Sequence, residues 1–391
     1  MASIEVKNIY ILGAGGSIGL QTLDILKHNK DFNLVGLSLS SNDHINEAIL
    51  SVFKPEIASL RYENQISKYQ SKYPDIKWVF GDEGLLEVAR YHKPGLLINA
   101  LSGSSGLMPT VEAIKAGKDI GLANKETLVM AGPIIKDLVI KHGVMLLPID
   151  SEHFALWELL RQVENRDNIK KIAITASGGA LRHLSRCDLV NVTKEDALKH
   201  PNWEMGPKIT IDSATMVNKG LEIIEANHLF GFDYYDIETL LHDESLVHAI
   251  VYLKDGTKLM NISKNDMKIP IRKVLYFPYQ IDDEPITNIS KLTLKPMDEI
   301  RYPMISLAYE VGKIGGILPT IYNAANEAAV DLFLKDKITF KEIESIIIKY
   351  TLSSDNIKNP TLEEIIRVDK EIKQAIYNYY LGEWHDGNLF T

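Results

Sequence analysis

Two acids stand two residues apart in Pro148-Ile149-Asp150-Ser151-Glu152-His153, straight after the apolar run Val144-Met145-Leu146-Leu147. Open α/β sheets place their chemistry at the carboxyl ends of strands. In extended geometry residues i and i+2 point the same way, so Asp150 and Glu152 would share a side. Two carboxylates with no cysteine and no histidine pair at ligand spacing suit a hard divalent cation such as Mg²⁺ or Mn²⁺. The same stretch also reads as a helix start, with Asp150-Ser151 as the cap and Glu152 favouring the first turn.

A second segment runs Lys208-Ile209-Thr210-Ile211-Asp212-Ser213 and on through Asn218-Lys219-Gly220-Leu221-Glu222. Its start reads as a short strand, after which Asp212 or Ser213 caps a helix reaching about Phe230. Asn218 and Glu222 are four apart, Lys219 and Glu222 three apart, so they meet on one helix face. The Ser213 hydroxyl, the Asn218 amide and the Lys219 ammonium near a helix N-terminus suit a phosphate, and Glu222 suits a metal. A solvated face with a Lys–Glu pair is the other reading. Ser177, in Thr175-Ala176-Ser177-Gly178-Gly179, can present its hydroxyl and turn N–H groups to an anion, as many plain turns do. His200, Trp203 and Met205 lie in a loop bounded by Pro201, Gly206 and Pro207. A large aromatic there is either a lid that excludes water or an anchor for the loop.

These groups need elements to hold them. Residues 1–149 alternate short apolar runs with helix-like segments, which predicts a Rossmann-like parallel sheet domain with covering helices. Its first strand runs into Gly13-Ala14-Gly15-Gly16-Ser17-Ile18-Gly19. A glycine turn from strand to helix lets backbone N–H groups approach a pyrophosphate. The second strand ends Ser38-Leu39-Ser40-Ser41-Asn42, without the acid that binds NAD ribose hydroxyls, which favours NADP. Residues 150–275 read as a central α+β catalytic and dimerisation domain, with a hairpin at Lys254-Asp255-Gly256. Residues 276–303 read as a linker. Residues 304–391 read as a helical domain with capping boxes at Thr339–Glu342 and Thr361–Glu364.

Composition sets outer bounds. The 391 residues are 45% hydrophobic and 24% charged, ordinary for a soluble globular chain. A net charge of -9 argues against nucleic acid or an anionic membrane as the main partner. Cys187 is the single cysteine, so no internal disulfide forms. No signal peptide and no apolar span is visible. A cytoplasmic location is the simplest reading, or a plastid-type organelle if a targeting peptide has been removed.

Taken together, GSIG, LANKETLV, LLPIDSEH, ITASGGALR, HPNWEMGPKITIDSATMVNKGLEIIEA and NAANEAAV resemble the 1-deoxy-D-xylulose 5-phosphate reductoisomerase family, in order and over the whole length. The resemblance implies a homodimeric, NADPH-dependent enzyme needing Mg²⁺, Mn²⁺ or Co²⁺, with Asp150, Glu152 and Glu222 as metal ligands. It implies a substrate phosphate on Ser177, Ser213, Asn218 and Lys219, and Ser151 and Lys125 on substrate oxygens. His200, Trp203 and Met205 would form the flap. NADPH would lie on Gly15, Gly16, Ser17 and Ile18, with Ser40, Ser41 and Asn42 near its 2′-phosphate and Asn124, Glu126 and Gly206 further along. The implied reaction rearranges the carbon skeleton and then reduces the resulting aldehyde to 2-C-methyl-D-erythritol 4-phosphate. The alternative on the same fold is an NADP-dependent dehydrogenase of a related branched sugar phosphate, without rearrangement. A non-catalytic nucleotide-binding scaffold is a third reading.

This chain departs from the family pattern at three places. Gly15 stands where a hydroxyl residue is common. Ser40-Ser41-Asn42 replaces the usual Gly-Lys/Arg/Asn-Asn, so a basic contact to the 2′-phosphate is missing and weaker discrimination against NADH is expected. His242-Asp243-Glu244-Ser245 brings two extra acids into the usual HPQS stretch, a change expected in the dimer or sheet region.

Overall fold

Residues 7–12, uncharged after Lys7 and apolar from Ile9, form strand β1 (Lys7–Leu12), whose Ile9, Tyr10, Ile11 and Leu12 are completely buried. A strand that apolar must be covered on both faces, which is the condition of a parallel sheet. The computed structural model describes residues 6–382 except Glu204, 283–285, 287, 288 and 290. It divides into two compact units.

The first unit holds Met1–Thr127, Ile134–Asp150 and Asp266–Asp283. Six strands join β1: β2 (Phe32–Ser38), β3 (Ile57–Leu60), β4 (Lys77–Phe80), β5 (Leu96–Asn99), β6 (Asp119–Leu122) and β7 (Leu146–Pro148). All pair in parallel, in the order β4-β3-β2-β1-β5-β6-β7. The order reverses between β1 and β5, and such a switch point is where open sheets bind ligands. The connections carry helices α1 (Ser17–Lys27), α2 (Asp43–Val52), α3 (Ile66–Lys72), α4 (Gly81–Ala89), α5 (Leu107–Lys115) and α6 (Glu126–His142). In α6, Ala131 leaves helical geometry at φ −136°, two residues before Pro133. Proline removes a helix hydrogen bond and crowds the preceding turn, so the break belongs there. Leu128–Pro133 around this kink belongs to the second unit.

In the second unit, α7 (Ser151–Arg161) packs on a five-stranded mixed sheet. Its strands are β8 (Ile169–Ala176), β9 (Ile237–Leu241), β10 (Val247–Leu253), β11 (Lys258–Ile262) and β12 (Lys295–Pro296), ordered β11-β10-β8-β9-β12. β10 and β11 form the expected hairpin, with Gly256 at φ +95° in the turn. Between β8 and β9 lie α8 (Lys194–Ala197), α9 (Pro207–Thr215) and α10 (Val217–Phe230). Helix α11 (Lys268–Tyr276) follows β11 and returns to the first unit, where it packs against α1 and strands β6 and β7. Residues 266–275 were read from the sequence as the end of the central domain. The linker expected over 276–303 lies partly outside the described residues, but it holds the last residue of α11 and strand β12, which pairs with β9.

The helical C-terminal region belongs to the same second unit. It comprises α12 (Pro303–Ile314), α13 (Leu318–Leu334), α14 (Phe340–Ser353) and α15 (Leu362–Leu381). Both capping boxes form as expected. Helix α13 is the hub, buried at every residue from Leu318 to Phe333 and wrapped by its neighbours.

Two sequence expectations are corrected here. Residues 208–211 are not a strand but lie within α9, which starts with Pro207 at its first turn and ends before Met216. Asp212 and Ser213 therefore sit late in one helix rather than capping another. Glu152 lies in the first turn of α7, so it and Asp150 are not two positions of one extended strand.

The two extra acids of the 242–245 stretch act in the sheet region. Glu244 accepts from the Thr293 N–H at 3.1 Å and its hydroxyl at 2.8 Å, and Asp243 pairs with Lys295 at 3.2 Å. They fasten the segment leading into β12 beside β9.

Candidate active site

In the first unit the glycine turn sits at the switch point. Gly13 has φ +83°, and a Cβ there would stand 2.5 Å from the Ala100 carbonyl oxygen. The turn is pressed onto the end of β5, and only glycine permits both the conformation and the approach. Gly16 caps α1 with no side-chain hydrogen bond, so the first N–H groups of that helix stay open to an anion. A Cβ at Gly15 would meet Ser40 Cβ and Oγ at 3.0 Å. Two of the three departures from the family pattern therefore face each other, and Ser40 takes up the space a side chain at 15 would use. Asn42 caps α2, accepting from His44 and Ile45, while Ser41 is exposed beside it.

Lys125 and Asp150 meet in the same unit, Nζ to Oδ2 at 2.5 Å, with both side chains largely buried. The neighbouring Asn124 donates to Leu101 O at 2.9 Å and Gly103 O at 2.8 Å. Glu126 accepts from the Gly103 N–H at 3.2 Å. Both side chains thus close the 101–106 loop from within, rather than standing open on a surface.

The second unit assembles most of the remaining residues. Lys219, 2% exposed, sets its ammonium between two carboxylates. It lies 2.7 Å from Glu152 Oε1 and also pairs with Glu222. Glu222, 1% exposed, accepts from Asn218 Nδ2 at 2.5 Å as well. Ser151 donates to Glu152 at 2.5 Å. Carboxylates this enclosed require a cation, and here the ammonium is that cation. Carboxylate oxygens are also the ligands a hard divalent ion takes.

Met216, at φ +64°, breaks the chain between α9 and α10. A buried non-glycine residue in that region is strained, and such strain gathers where function demands a particular geometry. The break puts the last turn of α9, with Ser213, next to the first turn of α10, with Asn218 and Lys219. The Ser177 turn closes on the same place: a Cβ at Gly179, φ +68°, would lie 2.6 Å from the Ser213 carbonyl oxygen. The Ser177 turn and the end of α9 at Ser213 therefore meet, just ahead of the residues that open α10.

The loop ahead of α9 is docked. His200 Nε2 lies 3.2 Å from Ser177 Oγ, while its Nδ1 accepts from the Asn202 and Trp203 N–H groups. Asn202 donates to Asp243 O at 3.1 Å and Ser245 Oγ at 2.7 Å. Trp203 and Met205 are half-buried. Burial, and secondly the nearby Arg182 charge, pushes the His200 imidazole from 6.5 down to about 4. A depressed histidine supports the docked loop fully above its unfolded value near 6.5, and that support is lost as pH falls towards 4. An imidazole NMR titration is expected to give a midpoint near 4, with Trp203 fluorescence changing over the same window. A midpoint near 6.5 would show that His200 is not enclosed against Ser177.

Sequence reasoning missed a buried pair that aligns the two carboxylate-bearing helices. His153 reaches Glu225 at 3.3 Å through Nδ1 and the Glu222 carbonyl oxygen at 2.9 Å through Nε2. Both side chains are almost wholly enclosed. The signal was present in the spacing, since Glu225 follows Glu222 by one helical turn, but its partner is remote in sequence.

A parallel sheet with a glycine turn at its switch point, in one chain with a buried carboxylate-and-lysine cluster, defines an α/β oxidoreductase. Family models agree over most of the length. Residues 9–132 match 1-deoxy-D-xylulose 5-phosphate reductoisomerase, residues 146–230 its C-terminal domain, and residues 262–375 a further DXP reductoisomerase C-terminal domain. The chain belongs to the 1-deoxy-D-xylulose 5-phosphate reductoisomerase family. The enzyme of that name from Geobacillus sp. (strain WCH70) is 45% identical over 381 residues, covering 95% of this chain and 99% of the relative. That from Halalkalibacterium halodurans is 45% identical over 380 residues, with the same coverage. A crystal structure of DOX-P reductoisomerase with NADPH, fosmidomycin and magnesium superposes with TM-score 0.88 at 34% identity, covering 96% of this chain and all of that one. The Zymomonas mobilis reductoisomerase with NADPH gives 0.86 at 34% identity, with the same coverage.

Proposed function

We propose that this chain converts 1-deoxy-D-xylulose 5-phosphate to 2-C-methyl-D-erythritol 4-phosphate, using NADPH and one divalent cation, Mg²⁺, Mn²⁺ or Co²⁺. The observation that carries this reading is the Lys219 ammonium enclosed between Glu152 and Glu222. It marks a place built for positive charge in a chain of this family. Asp150, Glu152 and Glu222 would hold the cation. When bound, the cation acts as a Lewis acid, polarising the substrate carbonyl and lowering the pKa of the neighbouring hydroxyl.

The protein's own groups do the rest. Ser177, Ser213, Asn218 and Lys219 bind the remote phosphate and so orient the reacting carbons. Lys125 and Ser151 hold substrate oxygens. Neutral His200 keeps the loop with Trp203 and Met205 over the site, excluding water from the reactive aldehyde. The start of α1 takes the NADPH pyrophosphate at Gly15, Gly16, Ser17 and Ile18. Ser40, Ser41 and Asn42 lie near the 2′-phosphate, and Asn124, Glu126 and Gly206 further along the cofactor.

A homodimer is proposed on the same resemblance, and edge strand β11, with Met260 and Ile262 each 37% exposed, offers a surface for it. Among the described residues no helix is long and apolar enough to cross a membrane. A cytoplasmic location is proposed, in keeping with the bacterial relatives, and nothing among these supports the plastid alternative. The test is loss of NADPH absorbance on adding 1-deoxy-D-xylulose 5-phosphate, abolished by EDTA and restored by Mg²⁺ or Mn²⁺. Reduction of the rearranged aldehyde, with no turnover of the ketose phosphate, would favour the simple dehydrogenase instead.

A further inference from the structure

The NAANEAAV stretch has no part in the reaction as described. Yet it lies in α13, where polar groups are enclosed on all sides. Thr320, Asn323, Glu327 and Asp331 recur at three- and four-residue spacing and share a face, with Asn326 flanking it. Buried polar groups cost free energy unless bonded, so the partners of such a row disclose what it holds. Thr320 donates to the Met130 carbonyl at 3.2 Å, at the kink of α6. Glu327 pairs with Lys373 of α15 at 2.7 Å and accepts from Asn323 at 2.8 Å. Asn326, wholly enclosed, donates to Asp212 Oδ1 at 2.9 Å.

Asp212 precedes Ser213 on α9 and is itself 1% exposed. Its other oxygen, Oδ2, accepts from Lys208 at 2.8 Å, one turn earlier and just beyond the loop that ends at Gly206. A carboxylate beside a phosphate-binding serine would repel the dianion if its charge were left unbalanced. Here the charge is balanced within α9, and its position is set by α13. We infer that Asp212, clasped by Asn326 and Lys208, is a positioning residue that sets Ser213 and the root of the loop for the substrate phosphate. The inference rests on the proposed reading of Ser213 as a phosphate contact. It gives the C-terminal helices a task beyond bracing: they fix the pitch of α9 through one hydrogen bond.

Replacing Asn326 by leucine keeps the volume and removes the donor. Asn326→Leu is expected to raise KM for 1-deoxy-D-xylulose 5-phosphate about five- to tenfold, the scale of one ordinary hydrogen bond. The inhibition constant of inorganic phosphate should rise with it, and kcat should stay within about threefold. Lys208→Gln, acting on the same carboxylate from α9, is expected to give the same split, so the test survives if one variant folds poorly. Tyr377→Phe is the control. It removes the bond from Tyr377 to Asp331 at 2.9 Å, at the far end of the same helix, and should lower thermal stability without moving either constant. Equal KM values in Asn326→Leu and Tyr377→Phe would overturn the inference, leaving the clasp purely structural. Ser213→Ala separates the two claims. If it leaves KM and phosphate inhibition unchanged, the phosphate reading itself fails and takes the clasp with it. If it raises both while Asn326→Leu does not, the clasp alone fails.

Discussion

Glu222→Gln is expected to abolish turnover, by on the order of 10³-fold or about 4 kcal/mol of transition-state stabilisation, while leaving the fold and NADPH binding intact. Its side chain is enclosed by Asn218 on one oxygen and Lys219 on the other. Glutamine keeps the shape and removes the charge. Its carbonyl can still face the ammonium, and the Asn218 amide can turn over to accept from the new N–H group. Lys219 keeps Glu152 at 2.7 Å, so no buried charge is stranded. The metal-free variant should therefore melt close to the parent. What disappears is the response to a divalent ion. At a hundredfold excess over its dissociation constant a ligand stabilises the folded state by about 2.7 kcal/mol, and that gain should vanish. Melting curves with and without MnCl₂, beside a fluorescence titration with NADPH, read the two effects separately. Full activity in the variant would remove Glu222 from the metal site.

Local sequence was a good guide wherever the chemistry and the element lay side by side. The glycine turn, the alternating first unit and the hairpin at Gly256 are short-range features, and they formed as read. The Asn218–Lys219–Glu222 face needed only helical spacing. The errors share a physical cause. Residues 208–211 carry isoleucine and threonine, which favour strands, but tertiary packing overrides such a preference. Pro207 starts a helix there, the Lys208–Asp212 pair spans one turn of it, and Asn326 holds it from α13. The reading of Asp150 and Glu152 as two positions of one strand failed because β7 stops at Pro148 and α7 begins at Ser151.

Other features were not local at all. The pairing of His153 with Glu225 requires knowing that α7 and α10 lie together. The return of α11 to the first unit depends on its packing against α1, which no nearby residue announces. Gly15 and Ser40 were read as two separate departures, and only their contact across β1 and β2 makes them one change. Motif recognition located NAANEAAV without assigning it a task, since its partners Asp212 and Lys373 come from opposite directions in the chain.

Lys219→Met is the substitution that should disturb the protein most before any substrate is added. The ammonium it removes is the cation between Glu152 and Glu222, at 3% side-chain exposure. Removing one partner of a buried ion pair costs about 3–5 kcal/mol, because the other charge is left uncompensated. Here two carboxylates would be left facing each other. The metal-free variant is expected to melt on the order of 10 °C below the parent. A divalent ion should restore most of that loss, since it meets the same demand for positive charge. Its stabilising effect should therefore be larger in this variant than in the parent, the reverse of the Glu222→Gln result. Catalysis should not recover, because the lysine is also assigned to the substrate phosphate. One positive charge does not balance two carboxylates and a phosphate dianion, so the substrate-bound form needs further positive charge at this site. Differential scanning fluorimetry across a MnCl₂ series, run beside the NADPH assay, checks both halves. A metal-free melting temperature equal to the parent's would mean that Lys219 does not hold the carboxylates together, and the shared-cation account of this site would fail.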